Sequence, residues 1–331
     1  MKTGKEISIT TPDYPPNRLG GLATFSKTLV ESLEHAGVKV NLTVWNKAHQ
    51  VKSLDQTLTV NIHSWPILYN SHQQCRDSVN FIHAAELLPY SKNILKRIVK
   101  KIIHARFLKR LQLAKRNIFI SQYALDLACK YGYHSDVTRD IIFHNRINLK
   151  GAEFINKTLN DDELTLCCFA RDVPHKNILG TIKFAEDLAT ITNKKVTLYC
   201  GNTKHSSSKI DLRSRSYSDE EREDIYKQSH LNLIFSLDHS KIGNIEGFGL
   251  TPLEAAKYGV PSLGLGNGGL PESIHHNFTG LILRDLNKNE IESTWNKLVK
   301  DYEQISRNAF DHVMSNHSHH DYAKLILELM K

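Results

Sequence analysis

Glu246 and Glu254 stand on either side of a glycine-containing turn in the stretch IEGFGLTPLEAAKYGVPSLG. Ionised carboxylates accept hydrogen bonds, and a pair of vicinal hydroxyls is a natural donor to one. Between the two acids, Gly247, Phe248, Gly249 and Leu250 read as a loop entering a helix. Thr251 is its expected N-cap, Pro252 suits its first turn, and Gly259 with Pro261 ends it. A helix start presents unpaired N–H groups and a partial positive charge, both of which favour phosphate. Glycines there let a ligand approach the backbone closely. Glu254, one turn into the helix, would meet a ribose, and Glu246 the hydroxyls at the other end of the same ligand. A molecule with hydroxyls, then phosphates, then hydroxyls is a nucleotide-sugar. Spacing alone also fits an ordinary loop–helix junction with two solvated glutamates.

Elements that would position these residues alternate regularly. KEISIT, VKVNLTVW, TLTVNI, SVNFIH, NIFIS and RDIIFHN read as strands in the first half, with amphipathic helices such as GGLATFSKTLVESLEHAG between them. After a polar joint near residues 150–161 the pattern restarts with LTLCCFA, KVTLYCG, LNLIFS and VPSLGLG, again separated by helices. Strand–helix alternation predicts parallel sheets covered on both faces. The 331 residues suit two such domains. The expected division is 1–150, 151–316, and a terminal helix over 317–331 that packs back on the first domain.

Hydrophobic residues are 40% of the chain and charged residues 24%, ordinary for a globular protein. No apolar run approaches the ~20 residues needed to span a bilayer, and the N-terminus has no apolar signal core. This predicts a cytoplasmic protein. The five cysteines lack a repeated spacing and read as buried thiols, with Cys167 and Cys168 pointing to opposite faces of one strand. The net charge of +8 is unevenly spread. Residues 1–150 carry 22 Lys and Arg against 10 Asp and Glu, a balance of +12, and the remainder carries −4. The N-terminal half is therefore expected to face something anionic.

With its seven-residue spacing, the pair in EGFGLTPLEAAKYGVP resembles the signature of the retaining glycosyltransferases of family 4, which have the GT-B fold. GNGGLPESIHHNFTGLIL continues the likeness. FARDVPHKNI resembles the segment in which an Arg and a Lys bind the donor diphosphate, here Arg171 and Lys176. PPNRLGGLATFSKTLVESLEHAG resembles the N-terminal glycine loop and first helix, here with Gly20 and Gly21. NFIHAAELLPY resembles the segment carrying an active-site histidine, here His83, and IIFHNRIN the end of the N-terminal domain. Arg146 stands where the family usually has glycine, and Ala85 where some members carry a second histidine. The resemblance covers nearly the whole chain and is most specific in the C-terminal half. It implies an α/β protein of two Rossmann-like doubly wound domains facing across a cleft.

It also implies chemistry. Breaking a sugar–phosphate bond leaves negative charge on the diphosphate, which Arg171 and Lys176 would neutralise with the help of the backbone at Gly249 and Leu250. Phe248 and Thr251 complete the expected donor loop. Glu246 would hold the sugar, Glu254 the ribose, and His83 would lie near the sugar. Anomeric configuration would be retained. The chain contains no Asp-x-Asp motif, so neither a metal nor another cofactor is expected.

Residues 91–116 hold ten Lys and Arg and no acid, among them Lys96, Arg97, Lys100, Lys101, Lys109 and Arg110. Ile94, Leu95, Ile98, Val99, Ile102, Ile103, Phe107 and Leu111 recur at helical spacing. This predicts a helix whose apolar stripe packs inward while its basic residues reach an anionic membrane or a phosphorylated acceptor. A domain helix with a merely solvated basic face fits the same pattern. Nucleic acid is not expected, since no aromatic-interleaved basic strand is present. His317, His319 and His320 read as solvated residues before the terminal helix rather than a metal site.

The expected activity is transfer of a sugar, favouring a UDP-sugar donor, to a lipid-linked or surface-polysaccharide acceptor such as lipopolysaccharide or capsule. Its place would be peripheral, on the inner face of the cell membrane. A soluble transferase with a small acceptor, a nucleotide-sugar epimerase, and a catalytically silent GT-B binding protein are the alternatives.

Overall fold

The structure, a computed structural model, describes residues 5–16, 20–51, 58–90 and 94–331. The expected helix start at residues 91–93 and the loop residues 17–19 lie outside them. Two compact units are present. The first comprises Met1–Asn148, His239–Phe248 and His317–Lys331; the second comprises Leu149–Asp238 and Gly249–Asn316.

The first unit contains β1 (Glu6–Thr11), α1 (Gly21–His35), β2 (Lys39–Val44), β3 (Thr59–Asn61), α2 (His72–Arg76), β4 (Ser78–Ile82), α3 (Ile94–Leu111), β5 (Arg116–Phe119), α4 (Gln122–Lys130) and β6 (Asp140–Ile142). Its sheet is parallel, in the order β2-β1-β3-β4-β5-β6. The central strands are buried on both faces, which is why they read as short, nearly continuous apolar runs. A polar row interrupts them. Thr10 donates to Asn61 at 2.8 Å, Asn61 to Asn80 at 2.8 Å, and Asn80 to Asn117 at 3.2 Å. Asn117 donates to Asp140 at 3.2 Å. Each pair is also a register partner, so one row of side chains crosses five strands. A shift of one residue would bury these amides unpaired, so the row fixes strand register.

The second unit contains β7 (Glu163–Cys168), α5 (Ile178–Thr192), β8 (Lys195–Cys200), β9 (Asp211–Ser214), α6 (Asp219–Gln228), β10 (Leu231–Ile234), α7 (Thr251–Ala256), β11 (Ser262–Leu265), α8 (Leu270–Ser273), β12 (Gly280–Leu283) and α9 (Lys288–Asn316). Its parallel sheet runs β12-β11-β10-β7-β8-β9. Cys167 and Cys168 enter different apolar clusters on opposite faces of β7. All five cysteines are free.

The last helix, α10 (His320–Leu329), belongs to the first unit. Tyr322, Ala323 and Ile326 are buried with Phe25, Leu29 and Phe81. The chain enters it through an exchange of backbone hydrogen bonds between Ile147 and residues His317 and His319, both at 3.0 Å. His317 is 2% exposed, and its Nδ1 lies 2.8 Å from the Asn145 carbonyl. It is a buried junction residue, not the solvated one expected. Among the described residues no group of His, Cys, Asp and Glu is arranged to hold a metal ion.

The basic segment also departs from expectation. Its helix ends at Leu111, and Arg116 begins β5. Phe107, Leu108 and Leu111 are buried, whereas Ile98, Val99, Ile102 and Ile103 are exposed. The apolar residues therefore do not form one inward stripe.

Candidate active site

The second unit gathers donor-type residues at the carboxyl ends of its strands, where open parallel sheets bind ligands. Arg171 is exposed in the turn after β7, and Lys176 closes a 3-10 turn over Pro174–Lys176. Asn177, left-handed at φ 51°, then turns the chain directly into α5. Burial pushes the Cys167 thiol of β7 up to about 12. Lys176 lies in the connection that leaves β7, and Glu254 in the connection that leaves its neighbour β10.

Glu254 is half-buried on α7 and accepts a hydrogen bond from the Tyr226 hydroxyl at 3.1 Å. Burial first, and then the Glu254 charge, push the Tyr226 phenol well above its ordinary pKa. It remains a neutral donor that fixes the carboxylate. Arg222, one turn earlier on α6, also feels the Glu254 charge and is held by Asp219. Sequence reading missed both Tyr226 and Arg222. Their signal was spacing: they are four apart on a helix that begins with the capping box Ser218–Glu221.

The helix start differs from expectation. Thr251 is the first helical residue rather than the N-cap; Leu250 occupies that position and makes no side-chain cap. With six residues, α7 is too short for a summed dipole to matter. Any attraction for an anion comes from its first-turn amides.

The two turn glycines also have a different reason. A Cβ on Gly247 would lie 2.7 Å from the His83 carbonyl, and one on Gly249 3.0 Å from Leu270. Gly249 in addition has φ 93°. Internal packing, not only ligand approach, requires both.

Glu246 and Gly247 belong to the first unit, while Gly249–Glu254 belongs to the second. Ile245 is buried with Phe107, Phe119 and Leu127, and Ser121 donates to the Gly247 carbonyl at 2.7 Å. The first unit thereby brings the Glu246 loop to His83. The His83 ring lies edge-on to Phe25 of α1 at 4.8 Å, and its Nε2 is 2.8 Å from the Ile62 carbonyl. A carbonyl only accepts, so Nε2 carries the hydrogen and Nδ1 keeps a free lone pair. Gly20 precedes α1 at φ 134° with open space where a Cβ would stand; Gly21 begins the helix and is exposed.

Around His83 lies a buried acid cluster that sequence reading did not find. Ser64 donates to Glu86 at 2.5 Å, and His63 Nε2 lies 3.1 Å from the other Glu86 oxygen. Burial pushes Glu86 up to about 7 and lowers His63 and His83 to about 4. Both imidazoles are therefore neutral near neutral pH. A cavity of about 540 Å³ opens elsewhere, lined by Tyr199, Arg213, Arg215 and Tyr217 with α6 residues. None of the expected donor residues lines it.

Two doubly wound parallel sheets in this order define the GT-B fold. Residues 150–312 match the family model described as glycosyl transferases group 1. Among solved structures, Anabaena HepE in complex with UDP and glucose is similar at a TM-score of 0.67 and 14% identity, over 97% of this chain and 98% of that one. Sucrose-phosphate synthase from Thermosynechococcus elongatus is similar at 0.70 and 14%, over 98% of each chain. A mutant of S. aureus TarM in complex with fondaparinux, alpha-GlcNAc-glycerol and UDP matches at 0.61 and 17%, over 85% of this chain and 57% of that one. No curated protein matches the chain.

Proposed function

We propose that this protein is a retaining, metal-independent glycosyltransferase that uses a UDP-sugar. The observation that carries the reading is that the turn holding Arg171 and Lys176 leaves β7 while α7, whose Glu254 is fixed by Tyr226, follows the neighbouring strand β10. The UDP in the HepE and TarM complexes supports the choice of nucleotide. Glu254 takes the ribose hydroxyls. Arg171 and Lys176 take the diphosphate and stabilise the charge that grows on it as the sugar–phosphate bond breaks. Glu246, three residues before Gly249 along the chain, takes the sugar hydroxyls. The departing phosphate receives the acceptor proton on the face that it leaves, which retains configuration. No bound cofactor is required, because the two cations supply the countercharge.

The acceptor is a lipid-linked or surface-polysaccharide glycan, as in lipopolysaccharide or capsule synthesis, met at the inner face of the cell membrane. The +12 balance of residues 1–150 supports an anionic acceptor side.

The test is a thermal-shift series with UDP and UDP-sugars in the presence of a chelator. UDP is expected to stabilise the wild type and to lose most of that effect with Glu254→Ala and with Arg171→Ala. Equal stabilisation of wild type and both variants would overturn the donor assignment.

A further inference from the structure

The two faces of α3 exchange character halfway along the helix. Successive residues turn by about 100°. On that geometry Ile98, Val99, Ile102 and Ile103 share one face, which Arg106 and Lys109 continue. Arg97, Lys100 and Lys101 share the opposite face, which His104, Phe107, Leu108 and Leu111 continue. The second of these faces meets the core: His104 is 5% exposed, Leu108 3%, and Phe107 and Leu111 0%. The first is open, with Ile98 at 57%, Val99 at 55%, Ile102 at 67% and Ile103 at 38%. The apolar patch therefore points away from the body that anchors the helix. Lys96 borders it, and Arg106 and Lys109, both exposed, extend it. Arg110 is occupied otherwise, donating to the Asn70 carbonyl at 3.1 Å.

We infer that this outward face of α3 seats on an anionic lipid bilayer, its four aliphatic side chains entering the acyl boundary and its lysines and arginines meeting phosphate headgroups. A contiguous aliphatic patch left in water has a standing cost, which burial relieves. The charge around it selects the partner. Residues 91–116 hold no acid, so nothing in the segment repels an anionic surface. Long basic side chains bordering an aliphatic strip keep their heads at the lipid–water boundary while their stems follow the strip. Among the described residues no helix is long and apolar enough to cross a membrane, so the contact is with the surface. The basic residues that matter are Lys96, Arg106 and Lys109. Arg97, Lys100 and Lys101, equally charged, lie on the wrong face. The inference stands independently of the donor site.

Co-sedimentation with phosphatidylcholine vesicles, with and without phosphatidylglycerol, tests it. The full-length wild type is expected to bind the phosphatidylglycerol vesicles, and more weakly at high salt. Ile98→Ser with Ile102→Ser should weaken binding by about tenfold or more. Arg106→Glu with Lys109→Glu should weaken it by a similar factor, and Arg97→Glu with Lys100→Glu by clearly less. Wild-type protein that ignores phosphatidylglycerol, or isoleucine variants that bind as well as wild type, would overturn the proposal. So would equal losses from the two charge pairs, or a dimer in light scattering that the isoleucine variants dissolve. The UDP thermal shift, measured on the same variants, should be unchanged, which separates this outcome from failure of the donor site.

Discussion

Tyr226 on α6 donates its phenolic hydrogen to the Glu254 carboxylate on α7 at 3.1 Å, although the two are 28 residues apart in the chain. Both residues lie in the second unit. The phenol is buried and held neutral, so it can only donate to that carboxylate. Tyr226→Phe removes the donor while keeping the ring. Loss of a hydrogen bond to a charged group is worth about 1 kcal/mol or more, so UDP should bind about fivefold more weakly. Calorimetric titration checks this. Unchanged affinity would mean that Glu254 does not touch the nucleotide.

Asn80 sits at the middle of the polar row, accepting from Asn61 and donating to Asn117, with all three buried. Asn80→Val leaves an amide donor and a carbonyl acceptor unpaired inside the sheet, at a cost of about 3 kcal/mol. Urea unfolding measures it. Asn41→Val at the sheet edge, where the partner Glu6 is exposed, should cost less than about 0.5 kcal/mol.

That row shows how sequence and structure divide the information. The motif of an asparagine followed by Ile or Phe recurs in three successive strands, at Asn61, Asn80 and Asn117. It was open to reading, yet hydrophobic periodicity passes over it. The strands themselves were legible because parallel strands buried on both faces are nearly unbroken apolar runs. Two edge strands were not: β9, DLRS, whose side chains carry no such run, and β12, GLIL, whose mostly buried apolar run is only four residues long. The allegiance of Ile245 to Phe107 and Phe119 joins residues more than a hundred positions apart, and no local pattern records it. On α3 the period was legible but the inward face was not. Spacing reports that apolar residues align; only packing decides which aligned set is covered. Glu254 and Lys176 are expected from short motifs, whereas Tyr226 and Glu86 act through partners distant in sequence.

Glu86 makes the stability of the first unit depend on pH. Its carboxyl moves from 4.5 to about 7 on folding because burial penalises the charged form. A raised folded pKa means that the contribution is complete below pH 4.5 and is lost as pH rises through 7. His63 and His83, lowered from 6.5 to about 4, work the other way: their contribution is present above pH 6.5 and is lost as pH falls through 4. Glu86→Gln abolishes the first effect, and removes a charge that raises the His83 pKa, so it does not weaken the second above pH 6.5. The variant should gain on the order of 2 kcal/mol over wild type at about pH 8 and show no such gain at about pH 4.5, in urea unfolding across that range. A difference independent of pH would show that Glu86 has the same pKa in the folded and the unfolded protein.

Gly247 offers a backbone test. Its missing Cβ would stand 2.7 Å from the His83 carbonyl and 3.1 Å from the Ile120 side chain, and a carbonyl in this sheet-end turn cannot swing aside as a side chain can. Gly247→Ala should cost about 1–3 kcal/mol and displace the neighbouring Glu246. Gly132→Ala is a useful comparison, because its Cβ would meet nothing within 4 Å and only the positive φ of 91° opposes it. That variant should lose about 1 kcal/mol and leave sugar transfer unaltered.

Tyr322 couples the last helix to the first. It is fully buried, its ring lies edge-on to Phe25 at 5.3 Å, and its hydroxyl accepts the Arg146 N–H at 2.9 Å. Two separate losses can be told apart there. Tyr322→Phe keeps the packing and leaves one backbone N–H unpaired, at about 1–2 kcal/mol. Tyr322→Ala also opens a cavity among Phe25, Phe81 and Ile326 and should cost about 3–5 kcal/mol. Glu328→Ala, on the outer side of the same helix, should change stability by less than about 0.5 kcal/mol. If α10 were a loosely attached tail, all three would unfold at the wild-type urea midpoint. The expected order is Ala lowest, Phe intermediate, and the Glu328 variant indistinguishable from wild type.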